Sequence, residues 1–95
     1  MKSMIEILSL ARQLNNVIGA TMEDTPGMAH ISVKNIAVTP APWFKNYIGI
    51  IMVNLSKHQI EIIKEQTEDA NYRETVEVAK KLSSLLEWRL KTTKY

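Results

Sequence analysis

The chain contains no cysteine, which excludes disulfides, thiolate nucleophiles and cysteine-bound zinc. A reducing compartment is compatible with that absence, and a cytoplasmic protein is expected. Glycine is nearly as scarce. Gly19, Gly27 and Gly49 are the only three, and they form neither a G-x-G-x-x-G turn nor a P-loop, so phosphate cradling by such a loop is excluded. No serine stands in a G-x-S-x-G elbow. Long apolar runs are missing too: the longest, Ile48 to Val53, is far short of the roughly 20 residues a membrane helix requires. The opening "MKSMIEILSLARQLNN" carries Glu6 and Arg12 among its apolar residues and lacks a small-residue cleavage site, so it reads as a poor signal peptide. No membrane partner is expected.

A large excess of one charge is also lacking. The chain has 12 Lys and Arg against 10 Asp and Glu, a formal charge of +2, which is too little for a polycation that condenses on nucleic acid. The distribution is more informative. Glu61, Glu65, Glu68, Asp69, Glu74 and Glu77 face only Lys64 and Arg73, whereas Lys80, Lys81, Arg89, Lys91 and Lys94 face only Glu87. The C-terminal segment turns from acidic to basic along its length.

What is present is periodicity. Met4, Ile7, Leu8, Ala11, Leu14 and Ile18 recur at three- and four-residue steps, which is one stripe of an amphipathic helix. Ser3 and Glu6 match a capping box, and Gly19 is a natural stop. "ATMEDTPGMAH" holds Asp24, Pro26 and Gly27 together and reads as a loop. In "ISVKNIAVT" Ile31 and Val33 lie on one face and Ile36 and Val38 on the other, so either a bulge at Lys34–Asn35 or a strand apolar on both sides is implied. Pro40 and Pro42 interrupt pairing, and a second strand follows over Asn46 to Leu55.

"SKHQIEIIKEQ" is ambiguous. Ser56 with Gln59 resembles a capping box, yet Ile60 and Ile62 alternate with Gln59 and Glu61, as in a strand. Thr67 ahead of Glu68 and Asp69 predicts the start of a final helix, which makes the preceding residues a third strand. Tyr72, Val76, Ala79, Leu82, Leu86 and Leu90 trace the helix stripe, extending it to Arg89 or Lys91. The expected fold is a single α+β domain over residues 1–95, helix–strand–strand–strand–helix, with an antiparallel sheet packed against two helices. The alternative replaces the third strand by a short helix and leaves a two-stranded ribbon with three helices.

No constellation carries catalysis. His30 and His58 lie in different segments without a carboxylate at helical i+4 spacing, so no metal is expected. Glu61/Glu65 and Glu74/Glu77 could serve acid–base work only in a pocket that shifts one pKa, and no neighbouring residues build one. The protein is read as a non-enzyme without cofactor.

The remaining signal is hydrophobic. In the second strand Trp43, Tyr47, Ile51, Val53 and Leu55 point one way, and Phe44, Ile48, Ile50 and Met52 the other. Two helices cover one face of a small sheet, so the other face needs a partner subunit, a partner protein or a ligand. The expected function is that of a binding protein, a homodimer or higher oligomer, acting through the apolar sheet face and helix surface as a small accessory or inhibitory protein. Aromatic residues dominate interface energetics, which singles out Trp43, Phe44, Tyr47 and Trp88. A second reading is capture of a small anionic ligand or nucleotide between subunits, with Lys34, Lys45, Arg73 or Arg89 as donors. A third is nucleic-acid binding. The element order is that of double-stranded RNA-binding domains, but here the start of the final helix is acidic, so the charges sit at the wrong end.

Overall fold

The structure, a computed structural model, describes residues 3–34, 49–67 and 69–92. Trp43, Phe44, Lys45 and Tyr47, the prolines Pro40 and Pro42, and the phase change at Asn35 lie outside the described residues. Helix α1 spans Met4–Arg12, strand β1 Val17–Met22, β2 Met28–Val33, β3 Gly49–Asn54 and β4 Gln59–Ile62. A single 3-10 turn at Lys64–Gln66 leads to helix α2, Asp69–Leu86, and the final strand β5 spans Arg89–Thr92. The strands form one sheet in the order β1-β2-β3-β4-β5, antiparallel except for the parallel pair β4–β5.

The α+β class and the two packed helices agree with the sequence pattern, and 59–62 is strand, not helix. The sheet, however, has five strands and is mixed, where three antiparallel strands were expected. Both additional strands come from stretches assigned to other elements. Helix α1 stops at Arg12, and Asn16 takes the left-handed conformation (φ 71), so Ile18 and Gly19 belong to β1 and not to the helix and its stop. At the other end α2 stops at Leu86, because Glu87 adopts φ 58 and the Trp88 amide donates to the Ser83 carbonyl at 3.1 Å. That is the 6→1 bond of a Schellman ending, here built on glutamate in place of glycine. The chain leaves the helix and runs beside β4, with Leu90 opposite Ile60.

The Ser3–Glu6 capping box forms as expected, with the Glu6 amide donating to Ser3 Oγ at 3.3 Å. Thr67, just ahead of α2, has its hydroxyl engaged elsewhere in the fold. Its hydroxyl accepts from the Ile50 amide at 3.2 Å and donates to the Ile63 carbonyl at 2.7 Å. It thus ties the start of β3 to the turn before α2. Thr67→Val keeps the shape and leaves the Ile50 amide without its acceptor, so a loss of about 1–3 kcal/mol is expected in urea unfolding. A change below a few tenths would mean that water replaces the hydroxyl.

Two cross-strand rows make the core. Ala20, Ile31, Ile51 and Ile62 form one, and Ala29, Val53, Ile60 and Leu90 the other. The residues of these rows on β2, β3 and β4 are essentially without exposure. Met4, Ile7, Leu8 and Ala11 of α1 and Val78, Ala79 and Leu82 of α2 close over them in one cluster. Both helices therefore lie on the same face: α1 packs on β1 and β2, and α2 on β2 to β5. Gly49 marks a close approach of α2 to β3, since a Cβ built there would stand 1.8 Å from Thr75 Oγ1.

Candidate functional site

Because successive side chains on a strand alternate faces, the same register that builds the core also defines a second face. Thr21, His30, Met52, Glu61 and Lys91 form one row across it, and Met28, Asn54, Gln59 and Arg89 the next. The strand at the heart of this arrangement is two-faced, as its sequence implied. Ile51 and Val53 enter the core, while Ile50 and Met52 point to the second face. Ile50 is itself buried, outside the core cluster.

The lower half of the second face holds a shallow depression of about 100 Å³, lined by Met28, Met52, Asn54, Lys57, Gln59, Glu61 and Lys91. Four strands contribute to it. Met28 and Met52 supply a soft apolar floor, and methionine adapts to the shape of what it meets. Asn54 and Gln59 supply amides, and Lys57 and Lys91 supply positive charge beside the one carboxylate, Glu61. The Lys57 backbone amide donates to Asn54 Oδ1 at 3.1 Å, which shapes the β3–β4 turn at one end of the hollow. At the β1–β2 end His30 Nδ1 pairs with the Glu23 carboxylate.

The expected site residues are scattered relative to this face. Trp88 stacks on His58, with ring centroids 4.8 Å apart and planes within 4°, and it packs against the core as a half-buried side chain. Lys34 follows β2, and its amide donates to the Asn16 carbonyl. Arg73 lies exposed on α2, the helix that covers the core face, whereas Arg89 lies on β5 beside Gln59. Arg73 and Arg89 are thus separated by the sheet. Lys57, Gln59, Met28 and Lys91 were not marked by the sequence. Lys91 in particular read as the tail of a helix, and only its pairing with Glu61 across β4–β5 brings it here.

No protein-family profile, curated protein or solved structure matches the chain. The geometry therefore stands alone. Among the described residues, no helix is long and apolar enough to cross a membrane, and no three His, Asp or Glu side chains converge as metal ligands.

Proposed function

We propose that this is a non-catalytic binding protein that docks a partner protein on the second face of its sheet, centred on Met52. One observation carries the reading: both helices sit on the opposite face, while the second face gathers methionine, amide and lysine side chains from β2, β3, β4 and β5 around one hollow. Methionine is favoured at adaptable protein-binding surfaces. The size of the hollow supports a protein over a free metabolite. At about 100 Å³ it accommodates a side chain, whereas pockets that enclose a drug-sized ligand run from about 300 Å³ upward. Placement of Arg73 and Arg89 on opposite sides of the sheet weakens the anion-capture alternative. The described second face offers no Phe, Tyr or Trp on which bases could stack, which weakens the nucleic-acid alternative.

Photo-crosslinking tests this. A photoreactive phenylalanine analogue at position 52 should capture one discrete protein in the native host, and the same analogue at Glu77 on the exposed side of α2 should not. The adduct should disappear when Lys91→Glu is added, with circular dichroism unchanged. Equal capture from positions 52 and 77, or none from 52, overturns the proposal, and a captured copy of the chain itself identifies the partner as a second subunit.

A further inference from the structure

One of the two edge strands of the sheet, β1, carries a device that the second face does not involve. In the pairing of β1 with β2, Thr21 opposes His30 and the Glu23 amide donates to the Met28 carbonyl at 2.9 Å. Alternation of the ladder then turns the backbone amides and carbonyls of Ala20 and Met22 away from β2, to the side on which no described strand pairs. Arg12, the last residue of α1, reaches across and its Nη2 donates to the Ala20 carbonyl at 2.7 Å.

An edge of this kind is a template for strand addition, and proteins blunt such edges with charge, proline or short length. β1 has six residues, "VIGATM", without charge or proline, and Ile18 and Met22 are more than half exposed. Apart from its bulge at Val17–Gly19, the charged group that the described residues lay on this edge is the Arg12 guanidinium. We infer that the β1 edge is a strand-pairing site for a second copy of this chain and that Arg12 is the latch that holds it closed.

The geometry of the pairing follows from the register. A two-fold axis through Thr21 sets Ala20 of one copy opposite Met22 of the other, and each pair exchanges two backbone hydrogen bonds. Those bonds use the Ala20 carbonyl on which the Arg12 guanidinium stands, so the latch competes with pairing at one atom. A second copy is the occupant because an uncharged strand meets itself without like charges opposite one another, and the two-fold arrangement closes after two chains. The contact is small, which makes association weak and dependent on concentration.

Analytical ultracentrifugation of the full chain tests the latch. Arg12→Met keeps much of the apolar stem and removes the donor, and it should lower the concentration at half-dimerisation at least about tenfold relative to wild type. Adding Met22→Pro should abolish that gain, because this proline deletes an outward amide and leaves the β1–β2 ladder intact. Equal mass averages for wild type and Arg12→Met from about 1 to 500 µM overturn the inference. So does a dimer of Arg12→Met that survives Met22→Pro, since it then uses another surface. Arg12→Gln, too short to reach across to the Ala20 carbonyl, is the second variant. Unfolding of both by circular dichroism would assign Arg12 to anchoring α1 and overturn the latch.

Discussion

Gly49→Ala is expected to destabilise the protein by about 3 kcal/mol or more, at the upper end of what overpacking costs. The added Cβ would stand 1.8 Å from Thr75 Oγ1, 3.0 Å from Thr75 Cβ and 3.1 Å from Thr67 Cγ2, and none of these atoms is the far end of a flexible chain. Thr75 is fully buried and its hydroxyl donates to the Asn71 carbonyl at 2.7 Å, so turning the hydroxyl away from the new methyl breaks that bond inside the core. The backbones of β3 and α2 must therefore separate. A domain of this size has total stability near the low end of the usual range of about 5–15 kcal/mol, and so the variant should lose most of its cooperative unfolding transition in urea. Thr75→Ala removes the nearest atom but leaves the Cβ at 3.0 Å, so the double variant should recover part of the loss, with a coupling of about 1 kcal/mol or more between the sites. A Gly49→Ala protein within about 0.5 kcal/mol of wild type would show that the helix does not approach the strand this closely.

Adjacent residues of β3 should respond in opposite ways. Ile51→Ala is expected to cost about 3–4 kcal/mol, because Ile51 is fully buried in the core beside its neighbours Ile31 and Ile62, where a deleted side chain leaves a cavity. Met52→Ala should cost about 1 kcal/mol or less, since Met52 is only half-buried on the second face and truncation there opens no cavity in the core. The second substitution should instead weaken partner capture. Urea midpoints at constant slope measure the first effect, and crosslinking yield from Asn54, the next lining position, measures the second. If both substitutions cost the same stability, β3 does not divide its side chains between a core and a docking face, and the proposed function loses its basis.

Much of this arrangement is legible in local pattern. The alternation of Gln59, Ile60, Glu61 and Ile62 marks β4, the Ser3 and Glu6 pair marks the start of α1, and the apolar residues on both sides of β3 mark it as a strand with two occupied faces. What escaped was decided by contacts between residues distant in sequence. Leu86 and Leu90 fit a helical stripe, and no glycine marks the boundary between them. The helix ends because Glu87 takes a left-handed conformation that is compensated by the Trp88–Ser83 bond and by pairing with β4. Thr67 has the chemistry of a cap, yet its hydroxyl serves the Ile50 amide 17 residues away.

By itself, then, the sequence determined the α+β class, the two core-packed helices and the two-faced central strand, because each rests on a periodicity of side chains along a short stretch. Only the tertiary structure decided which residues share the second face. Met28, Met52, Gln59 and Lys91 come from four strands, and their meeting depends on register and on the parallel placement of β5. The Arg12 contact with Ala20 is of the same kind. They stand eight positions apart in the chain, and the bond exists because α1 folds back on the edge of the sheet. Backbone pairing sets such neighbours, and no local propensity encodes a neighbour that the chain reaches only after folding.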